Sequence, residues 1–331
     1  MSIQPTSQET ALTKVEIARE DTKLIVPIDE TLQEAIKQGI KEVTETKSLI
    51  EAKPPVTVSV EEVAPPKIEE GANDPFLVGK VHHIGGRESQ QDSFGISNMK
   101  NQMIAQTKGI LSVVADGMGG LSRGAEISSL VTVSMLRYFH EHIFREKYDM
   151  EMLKMLYRAN DEVNHLLGEK GVGKSGTTVV AAMIKKEMLY FIGVGDSRLY
   201  LFRNGTLLKL NREHVYSRQL DEKAARGDIL LSEARFHPMR YALTSFLGIG
   251  DLDEIDRNTE GIKLTKKDRI LLMTDGIYGA LSEEEIIKCM LETPKESAAC
   301  MERMILNKNK TGQDNFTCII LEYREENEPS Q

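Results

Sequence analysis

The sequence predicts an α+β fold with antiparallel sheets, and three observations support this prediction. Short runs rich in apolar and β-branched residues follow one another closely, at 177–184, 188–197 and 197–205. The dipeptide Asn204-Gly205, within the third run, is typical of a tight hairpin turn. Residues 125–144 instead repeat their apolar side chains at helical spacing. Because strands joined by tight turns pair in opposite directions, the sheets are expected to be antiparallel.

Two helices are predicted before this series of strands. The first has an apolar stripe made of Ile127, Leu130, Val131, Met135 and Tyr138. The second has a stripe made of Leu153, Leu156, Tyr157, Asn160, Val163 and Leu167. Since each stripe recurs every three or four residues, each helix is expected to bury one face.

The other elements follow from the same kind of pattern. Further strands are predicted over residues 76–85, 109–117, 206–211, 269–276 and 315–323, and two helices over 283–308. Residues 211–247 are polar and carry mixed signals. They are predicted to form a short helix followed by a mobile flap.

Composition limits the possible functions. The chain has 331 residues, 40% of them hydrophobic, and a net charge of −9. An acidic chain is a poor match for sequence-independent nucleic-acid binding. No apolar run is long enough for a membrane span, and the N-terminus lacks the pattern of a secretion signal. Cys289, Cys300 and Cys318 show no CxxC spacing, so they are interpreted as reduced thiols of a cytoplasmic protein.

Residues 1–75 differ from the rest of the chain. They contain 15 acidic and 8 basic residues, seven of the ten prolines and no aromatic residue. Such a segment cannot bury enough surface to offset its ordering entropy, so it is predicted to be a largely disordered leader. One stretch has a helical stripe formed by Leu32, Ile36, Ile40 and Val43. Either a transient helix or a docking helix for a partner accounts for it.

The segment GEKGVGKS, residues 168–175, fits the phosphate-binding loop pattern at all of its fixed positions. A nucleotide-binding loop follows a buried strand and begins a helix. Here the predicted helix precedes the segment, and a β-branched run follows it. The glycines are therefore interpreted as a helix stop and a turn. A nucleotide-binding protein remains a rival hypothesis, which a nucleotide titration tests.

Four aspartates carry the strongest chemical signal. Asp116, Asp196 and Asp275 each end an apolar run, and Asp314 directly precedes the last one. In an antiparallel sandwich these ends would lie at one edge, where bare carboxylates repel and raise each other's pKa. Divalent cations such as Mg²⁺ or Mn²⁺ favour such oxygen ligands. The alternative is that each Asp-Gly pair is only a turn.

Seven segments in order resemble the motifs of bacterial metal-dependent Ser/Thr phosphatases, the protein phosphatase 2C family. They are RESQQDSFGIS, VVADGMGG, SGTTVVAAMI, GVGDSRLYLFRNG, HPMRYALTSFLG, LLMTDGIYGALSEEEI and GQDNFTCIILEY. The resemblance covers roughly residues 78–323 and implies a four-layer α/β/β/α sandwich, with two antiparallel sheets flanked by helices. It implies a catalytic domain at residues 76–324, preceded by the leader and followed by a flexible tail at 325–331.

The resemblance also implies roles for individual residues. Asp116 matches the aspartate that bridges two metal ions, Asp275 and Asp314 match further ligands, and the carbonyl of Gly117 matches a glycine ligand. Asp92 matches a carboxylate that binds mostly through metal-bound water. Asp196 matches the ligand of a third, weaker ion. Arg87 matches the arginine that holds the substrate phosphate.

Together these matches imply an enzyme that hydrolyses phosphoserine and phosphothreonine on proteins. Arg87, Asp116 and Asp275 are the predicted catalytic residues, and the cofactors are Mn²⁺ or Mg²⁺, as two core ions and a third weaker one. A hydroxide that bridges two cations would attack the phosphorus in line. The expected partners are phosphorylated proteins, including a Ser/Thr kinase whose action the enzyme opposes. A cytoplasmic monomer that binds neither nucleic acid nor membrane is expected.

Two positions depart from the family pattern. Gln91 stands where the family often has Glu, and Met118 stands where eukaryotic members have His. Since Met118 cannot donate a proton, the leaving alkoxide needs another acid. His82, His83, His214 and His237 are candidates by residue type alone. A pseudophosphatase that only binds phosphoproteins is the second rival hypothesis, which metal-dependent hydrolysis of p-nitrophenyl phosphate tests.

Overall fold

Two antiparallel sheets form the centre of the fold in this computed structural model, which describes residues 76–97, 107–119 and 123–324. The predictions for the leader and for the tail at 325–331 lie outside the described residues. One sheet has the order β1 (Phe76–His83), β12 (Phe316–Tyr323), β11 (Arg269–Met273), β7 (Arg198–Arg203), β8 (Thr206–Lys209). The other has the order β10 (Ile262–Lys263), β6 (Met188–Val194), β5 (Val179–Lys185), β3 (Ile110–Met118), β2 (Asp92–Ile96). Two short strands extend it, β4 (Gly176–Thr177) on β3 and β9 (Asp256–Arg257) on β6.

Four of the described helices cover the outer faces of the two sheets, and the complete set of helices in these residues is as follows. They are α1 (Arg123–Glu141), α2 (Tyr148–Leu167), α3 (Tyr216–Arg226), α4 (Leu231–Phe236), α5 (Asp275–Tyr278), α6 (Glu283–Cys289) and α7 (Pro294–Asn307). Apolar side chains of α1 and α2 pack on β3, β5 and β6, and those of α6 and α7 pack on β11 and β12. A third apolar cluster fills the space between the sheets. The predicted α/β/β/α sandwich is confirmed.

The buried face of α2 differs in part from the predicted stripe. Tyr157 is 43% exposed, whereas Met152, Met155 and Ala159 are fully buried. Unbranched methionine side chains fill the contact with α1 and the sheet, so the larger tyrosine faces outward. The polar Asn160 is buried as predicted, because its amide bonds to the backbone of Gly248 and Gly250.

The segment 168–175 has the predicted helix–loop–strand order. It begins where α2 ends and leads into β4. Gly168 and Gly173 have φ angles of 63° and 79°, in the left-handed region that favours glycine. The N–H of Gly173 bonds to the carbonyl of Gly248. The segment therefore ends a helix and forms a turn, as the sequence interpretation states.

Residues 211–247 are more regular than predicted. They contain α3 and α4, whereas a single short helix and a mobile flap were expected. The Arg240 guanidinium bonds to both carboxylate oxygens of Asp221 on α3, at 2.8 and 2.9 Å, and to the carbonyl of Ala234 on α4. This one side chain ties the two helices together, which the local polar composition did not indicate.

The cysteine prediction is wrong for two of the three residues. Cys289 at the end of α6 and Cys300 on α7 form a disulfide, with their Cα atoms 5.6 Å apart. The turn between the helices folds α7 back beside α6, and this proximity is invisible in the sequence spacing. Cys318 on β12 is a buried free thiol, and burial raises its pKa to about 12.

Membrane insertion finds no support among the helices: within the described ranges, none combines the length and apolar character that crossing a bilayer requires.

Candidate active site

Asp92 and Asp116 lie opposite each other on neighbouring strands. The antiparallel register of β2 and β3 pairs their Cα positions directly. Both are less than a tenth exposed, at 5% and 9%. The Asp116 carbonyl accepts a hydrogen bond from the N–H of Thr178, which fixes the end of β3 against the following strand. Two buried carboxylates on adjacent strands are a costly arrangement unless positive charge compensates them.

Asp92 also connects the two sheets. Its Oδ2 accepts hydrogen bonds from Thr274 Oγ1 at 2.9 Å and from Thr317 Oγ1 at 2.7 Å. Thr274 follows β11 and Thr317 lies on β12, so both donors come from the sheet to which β2 does not belong. Burial raises the pKa of Asp92 to about 7. The hydrogen bond from Thr317 lowers this pKa, and the charge of Asp275 raises it further.

Asp275 and Asp314 lie at the ends of two paired strands. Asp275 is the first residue of α5, directly after the residue that follows β11, and Asp314 lies two residues before β12. Gly276 lets this turn approach the backbone at Asn315 closely, because an added Cβ would lie 2.0 Å from the carbonyl oxygen of Asn315. Burial and the charge of Asp275 raise the pKa of Asp314, while Arg87 opposes the shift.

Asn315 holds the loop that carries Arg87. Its side-chain amide donates to the carbonyls of Ile84 and Ser89 and accepts from the N–H of Gln91 at 2.8 Å. Its own N–H bonds to Asp314 Oδ1. These hydrogen bonds hold the loop against Asn315, the residue that follows Asp314. In this position Arg87 Nη2 donates to Asp314 Oδ2 at 2.9 Å.

Arg87, Asp196, Asp275 and Asp314 all line one surface cleft with a volume of about 490 Å³. Asp196 follows β6, and its backbone carbonyl accepts a hydrogen bond from the Tyr278 hydroxyl. The remaining lining residues are Glu213, Val215, Ser217, Pro238, Met239, Tyr241, Ala242, Gly276, Tyr278, Gly279, Lys310, Gly312 and Gln313. The structure therefore brings together the arginine and three of the aspartates that the sequence singles out, beside the Asp92–Asp116 pair to which Asp275 and Asp314 couple electrostatically.

Gly117 allows a close contact between β3 and the start of α1. A Cβ at this position would lie 2.1 Å from the carbonyl oxygen of Gly124. Gln91, which replaces the charged residue of the family pattern, donates its side-chain amide to the carbonyl of Gly119 at 2.9 Å. Its backbone carbonyl accepts from Gly117 N–H and from Ser128 Oγ. Gln91 therefore supports the loop that follows β3.

The four candidate histidines have structural partners, and no histidine is among the described residues that line the cleft. His83 stacks on Phe316, and the Nδ1 atoms of His214 and His237 accept backbone N–H groups. His82 Nδ1 lies 3.0 Å from Thr317 Oγ1, and burial lowers its pKa to about 4. These contacts favour the structural interpretation of the histidines over a role as general acid.

The chemistry of the cluster fits divalent cations. Asp92, Asp116 and Asp196 are buried, and Asp275 and Asp314 are half-buried. Burial and the neighbouring carboxylate charges raise the pKa values of Asp92 and Asp314, so a cation between the carboxylates would relieve the repulsion. Within the described residues, no group of three or more His, Cys, Asp or Glu side chains is already arranged to hold a metal ion as it stands. Donor type and charge therefore support a metal site, and its ligand set remains a proposal.

Sequence reasoning missed the side chains that position the aspartates. Thr274, Asn315 and Thr317 make the hydrogen bonds described above, yet each reads in the sequence as an ordinary polar residue. The sequence signal that could have identified two of them is their position next to candidate ligands. Thr274 directly precedes Asp275, and Asn315 directly follows Asp314. A polar residue next to a candidate ligand at a strand end is a reasonable candidate for such support.

Similar folds occur among solved bacterial phosphatases. The Ser-Thr phosphatase MsPP of Mycobacterium smegmatis, solved in complex with cacodylate, is 28% identical, with a TM-score of 0.59 over 75% of this chain and 98% of that one. The catalytic domain of the serine threonine protein phosphatase PstP, solved with two manganese ions, is 22% identical with a TM-score of 0.59. It covers 75% of this chain and 97% of its own, and at this identity the likeness concerns the fold.

Sequence comparison leads to the family. The serine/threonine phosphatase stp of Listeria welshimeri is 28% identical over 243 residues, which are 71% of this chain and 91% of that protein. The family model of protein phosphatase 2C matches residues 79–315, well over half of the chain. The prediction of a protein serine/threonine phosphatase is confirmed, and the chain belongs to the protein phosphatase 2C family.

Proposed function

We propose that this phosphatase hydrolyses phosphoserine and phosphothreonine on proteins with the help of divalent cations held by its clustered aspartates. One observation carries the proposal: Arg87, Asp275 and Asp314 line the same cleft, next to the paired Asp92 and Asp116. A guanidinium beside a cluster of carboxylates suits the joint binding of a phosphate dianion and metal ions.

Each residue has a distinct part in the proposed site. Asp116 would bridge two core ions, with Asp275, Asp314 and the Gly117 carbonyl as further ligands and Asp92 bound through water. Mn²⁺ or Mg²⁺ fits these oxygen donors, and PstP in its solved complex holds two manganese ions. When bound, such a pair lowers the pKa of water and so supplies a nucleophile near neutral pH.

Arg87 would bind and orient the substrate phosphate. Its guanidinium has five N–H donors, and Nη2 donates to Asp314 Oδ2. The planar fork of donors suits the equatorial phosphate oxygens, and the Asp314 contact sets the angle of the fork. The Asn315 hydrogen bonds hold the loop, so that little ordering is left for the moment of binding.

The decisive experiment is a phosphatase assay with Mn²⁺, Mg²⁺ or chelator on p-nitrophenyl phosphate and on phosphoserine and phosphothreonine peptides. We expect metal-dependent turnover. Asp116→Asn should nearly abolish it, and Arg87→Ala should mainly raise KM for the peptides, since its partner is the phosphate. Arg226→Ala, which removes an exposed ion pair with Asp228, is the matched control. Phosphopeptide binding without turnover would instead support the pseudophosphatase.

The partners follow from the activity. Phosphorylated proteins, including a Ser/Thr kinase whose signal the enzyme reverses, are the proposed substrates, and the chain is proposed to act as a cytoplasmic monomer. Sedimentation equilibrium of the full chain tests the monomer, and cell fractionation tests the location. The Cys289–Cys300 disulfide makes the second test informative, because disulfides are uncommon in reducing compartments.

A further inference from the structure

The catalytic cleft has one apolar wall that the binding of a phosphate group does not require. This wall consists of Val215, Pro238, Met239, Tyr241 and Ala242, all from residues 211–247. Lys310, Gly312 and Gln313 also line the cleft, and Arg87 and the aspartates complete it. The cleft has a volume of about 490 Å³, which lies in the range of small-ligand sites. This volume exceeds what a single phosphorylated side chain needs, so that side chain does not account for the apolar wall.

Hydrogen bonds fix this wall to the rest of the fold. The N–H of Tyr216 donates to the carbonyl of Ala242, and Val215 forms an isolated antiparallel bridge with Leu243. Within the turn, the N–H of Ala242 donates to the carbonyl of Met239. The two-point ion pair of Arg240 with Asp221 then anchors the centre of the turn to α3. Met239 and Tyr241 flank this anchor, and both line the cleft.

Tyr241 is unusually exposed for an apolar residue in a fixed turn. It is 78% exposed, and with Leu230, Leu231 and Phe236 it accounts for four of the eleven exposed large apolar side chains in the described part of the chain. These four lie within twelve residues. Of them, only Tyr241 lines the cleft. A preordered, exposed aromatic ring next to a catalytic cleft is typical of a residue that binds a partner, because tyrosine supplies a large contact area at low entropy cost.

The charge of the cleft wall also favours an apolar occupant. Glu213, the one acidic residue of residues 211–247 that lines the cleft, is already paired with Arg198 at 2.5 Å and with Lys209 at 3.1 Å. The adjoining wall residues carry no charge. An acidic or basic side chain placed against these wall residues would lose hydration without gaining an opposite charge from them.

We infer that Met239 and Tyr241 select phosphoproteins that carry a large apolar side chain beside the phosphorylated serine or threonine. This inference rests on the proposed function, because the phosphate must first bind at Arg87. The apolar neighbour would then cover the exposed Tyr241 ring and remove it from water. Because the wall lines the same cleft as Arg87, a segment anchored there by its phosphate lies against the wall, so the proposed occupant is a substrate segment.

The test uses the full chain and pairs of phosphothreonine peptides. The two peptides of a pair differ at one position only, which is leucine in one and aspartate in the other. From pair to pair, this position lies one or two residues before or after the phosphothreonine. We expect the wild type to prefer leucine over aspartate in kcat/KM by about tenfold or more at one of these positions. Tyr241→Ala should reduce that ratio to less than about threefold, mainly through a higher KM for the leucine peptide. Tyr241→Phe, which keeps the ring, should retain the preference.

The matched control is Phe236→Ala. Phe236 is 84% exposed in the same region but does not line the cleft, so its removal should leave the leucine-to-aspartate ratio as in the wild type. An equal loss for both peptides in Tyr241→Ala, or the same change in Phe236→Ala, overturns the inference. So does a dimer that dissociates on Tyr241→Ala in sedimentation, since the wall would then bind a second copy.

Failure of the proposed function gives a different result. A wild type that hydrolyses neither p-nitrophenyl phosphate nor any peptide in Mn²⁺ contradicts the activity itself, and the inference with it. A wild type that hydrolyses both peptides equally well supports the activity and contradicts only the selection. Met239→Gln provides a second variant on the same wall and should lower the ratio in the same direction.

Discussion

The hydroxyl of Thr317 lies 2.7 Å from Oδ2 of Asp92, and this hydrogen bond joins the two sheets of the sandwich. The Thr317 hydroxyl has a single proton, which it donates to Asp92. When Asp92 is ionised, His82 Nδ1, at 3.0 Å from the same oxygen, is therefore the protonated nitrogen and donates to Thr317. The chain His82–Thr317–Asp92 thus orients a buried carboxylate, together with the hydrogen bond from Thr274.

Thr317→Val should lower both stability and metal affinity. The substitution keeps the shape of the side chain but removes a hydrogen bond to a buried carboxylate, so we expect a loss of about 1–3 kcal/mol in the free energy of unfolding. Without this donor Asp92 is less well oriented, and Mn²⁺ should stabilise the variant less than the wild type. Denaturant unfolding with chelator and with Mn²⁺ measures both effects.

Thr132→Val is the control for this experiment. Thr132 is also a buried threonine, but its hydroxyl bonds to the carbonyl of Ser128 within α1. Its replacement should leave the stabilisation by Mn²⁺ unchanged. If both variants lost the same part of the metal effect, Thr317 would have no special role at Asp92.

His82 should make the protein less stable as the pH falls. Burial, together with the nearby Lys80 and His83, lowers the pKa of His82 to about 4 from its ordinary 6.5. The unfolded chain therefore binds the proton more readily between these values, and stability decreases as the pH falls from about 6.5 to about 4. Between pH 7.5 and pH 5, His82→Gln should lose about 1–2 kcal/mol less than the wild type.

The measurement is denaturant unfolding of both proteins in chelator at the two pH values. Carboxylate titration contributes in both proteins, so the difference between them isolates His82. Glutamine retains an N–H donor for Thr317, which limits other changes. An equal loss of stability in the two proteins would contradict the assigned pKa.

The layout of the sandwich could be predicted because its signals are local. The strands that became β5, β6 and β7 are apolar runs with tight turns. Asp116, Asp196 and Asp275, at the ends of β3, β6 and β11, were found by position alone. The strand β2 was missed as a separate element, because DSFGI is short and interrupted by glycine. The family resemblance singled out its first residue, Asp92, but not the strand.

The relations that the sequence could not predict are those between distant residues. Nothing local to Arg240 indicates that it pairs with Asp221, 19 residues earlier, yet that pair orders residues 211–247. The disulfide likewise depends on how α7 folds back beside α6. The support of Asp92 by Thr317 spans 225 residues. Such contacts follow from packing of the whole domain, which periodicity and spacing do not report.

The disulfide predicts a simple thiol count. In denaturant without reductant, the full chain should show one free thiol per molecule, that of Cys318, and three after reduction. Cys300→Ser should show two free thiols without reductant, because Cys289 loses its partner. Titration with a thiol reagent checks these values. Three thiols in the unreduced wild type would restore the original interpretation of all cysteines as reduced.

The last prediction concerns Asp196, which the family resemblance assigns to an outer ion. Asp196 lines the cleft together with Asp275, and its backbone is held by the Tyr278 hydroxyl, so an asparagine here should keep the position of the chain. Asp196→Asn removes one carboxylate from the outer site and leaves Asp116, Asp275 and Asp314 in place. Calorimetry should still find two tightly bound Mn²⁺ ions.

Turnover on phosphopeptides should nevertheless fall by about tenfold to a hundredfold in this variant. No histidine is found among the described residues of the cleft, and Met118 cannot donate a proton, so the outer site is the proposed source of acid for the leaving oxygen. A leaving group that needs no proton removes this dependence, so p-nitrophenyl phosphate should be affected much less. Loss of the tight pair of ions, or peptide turnover equal to the wild type, would each contradict this role for Asp196.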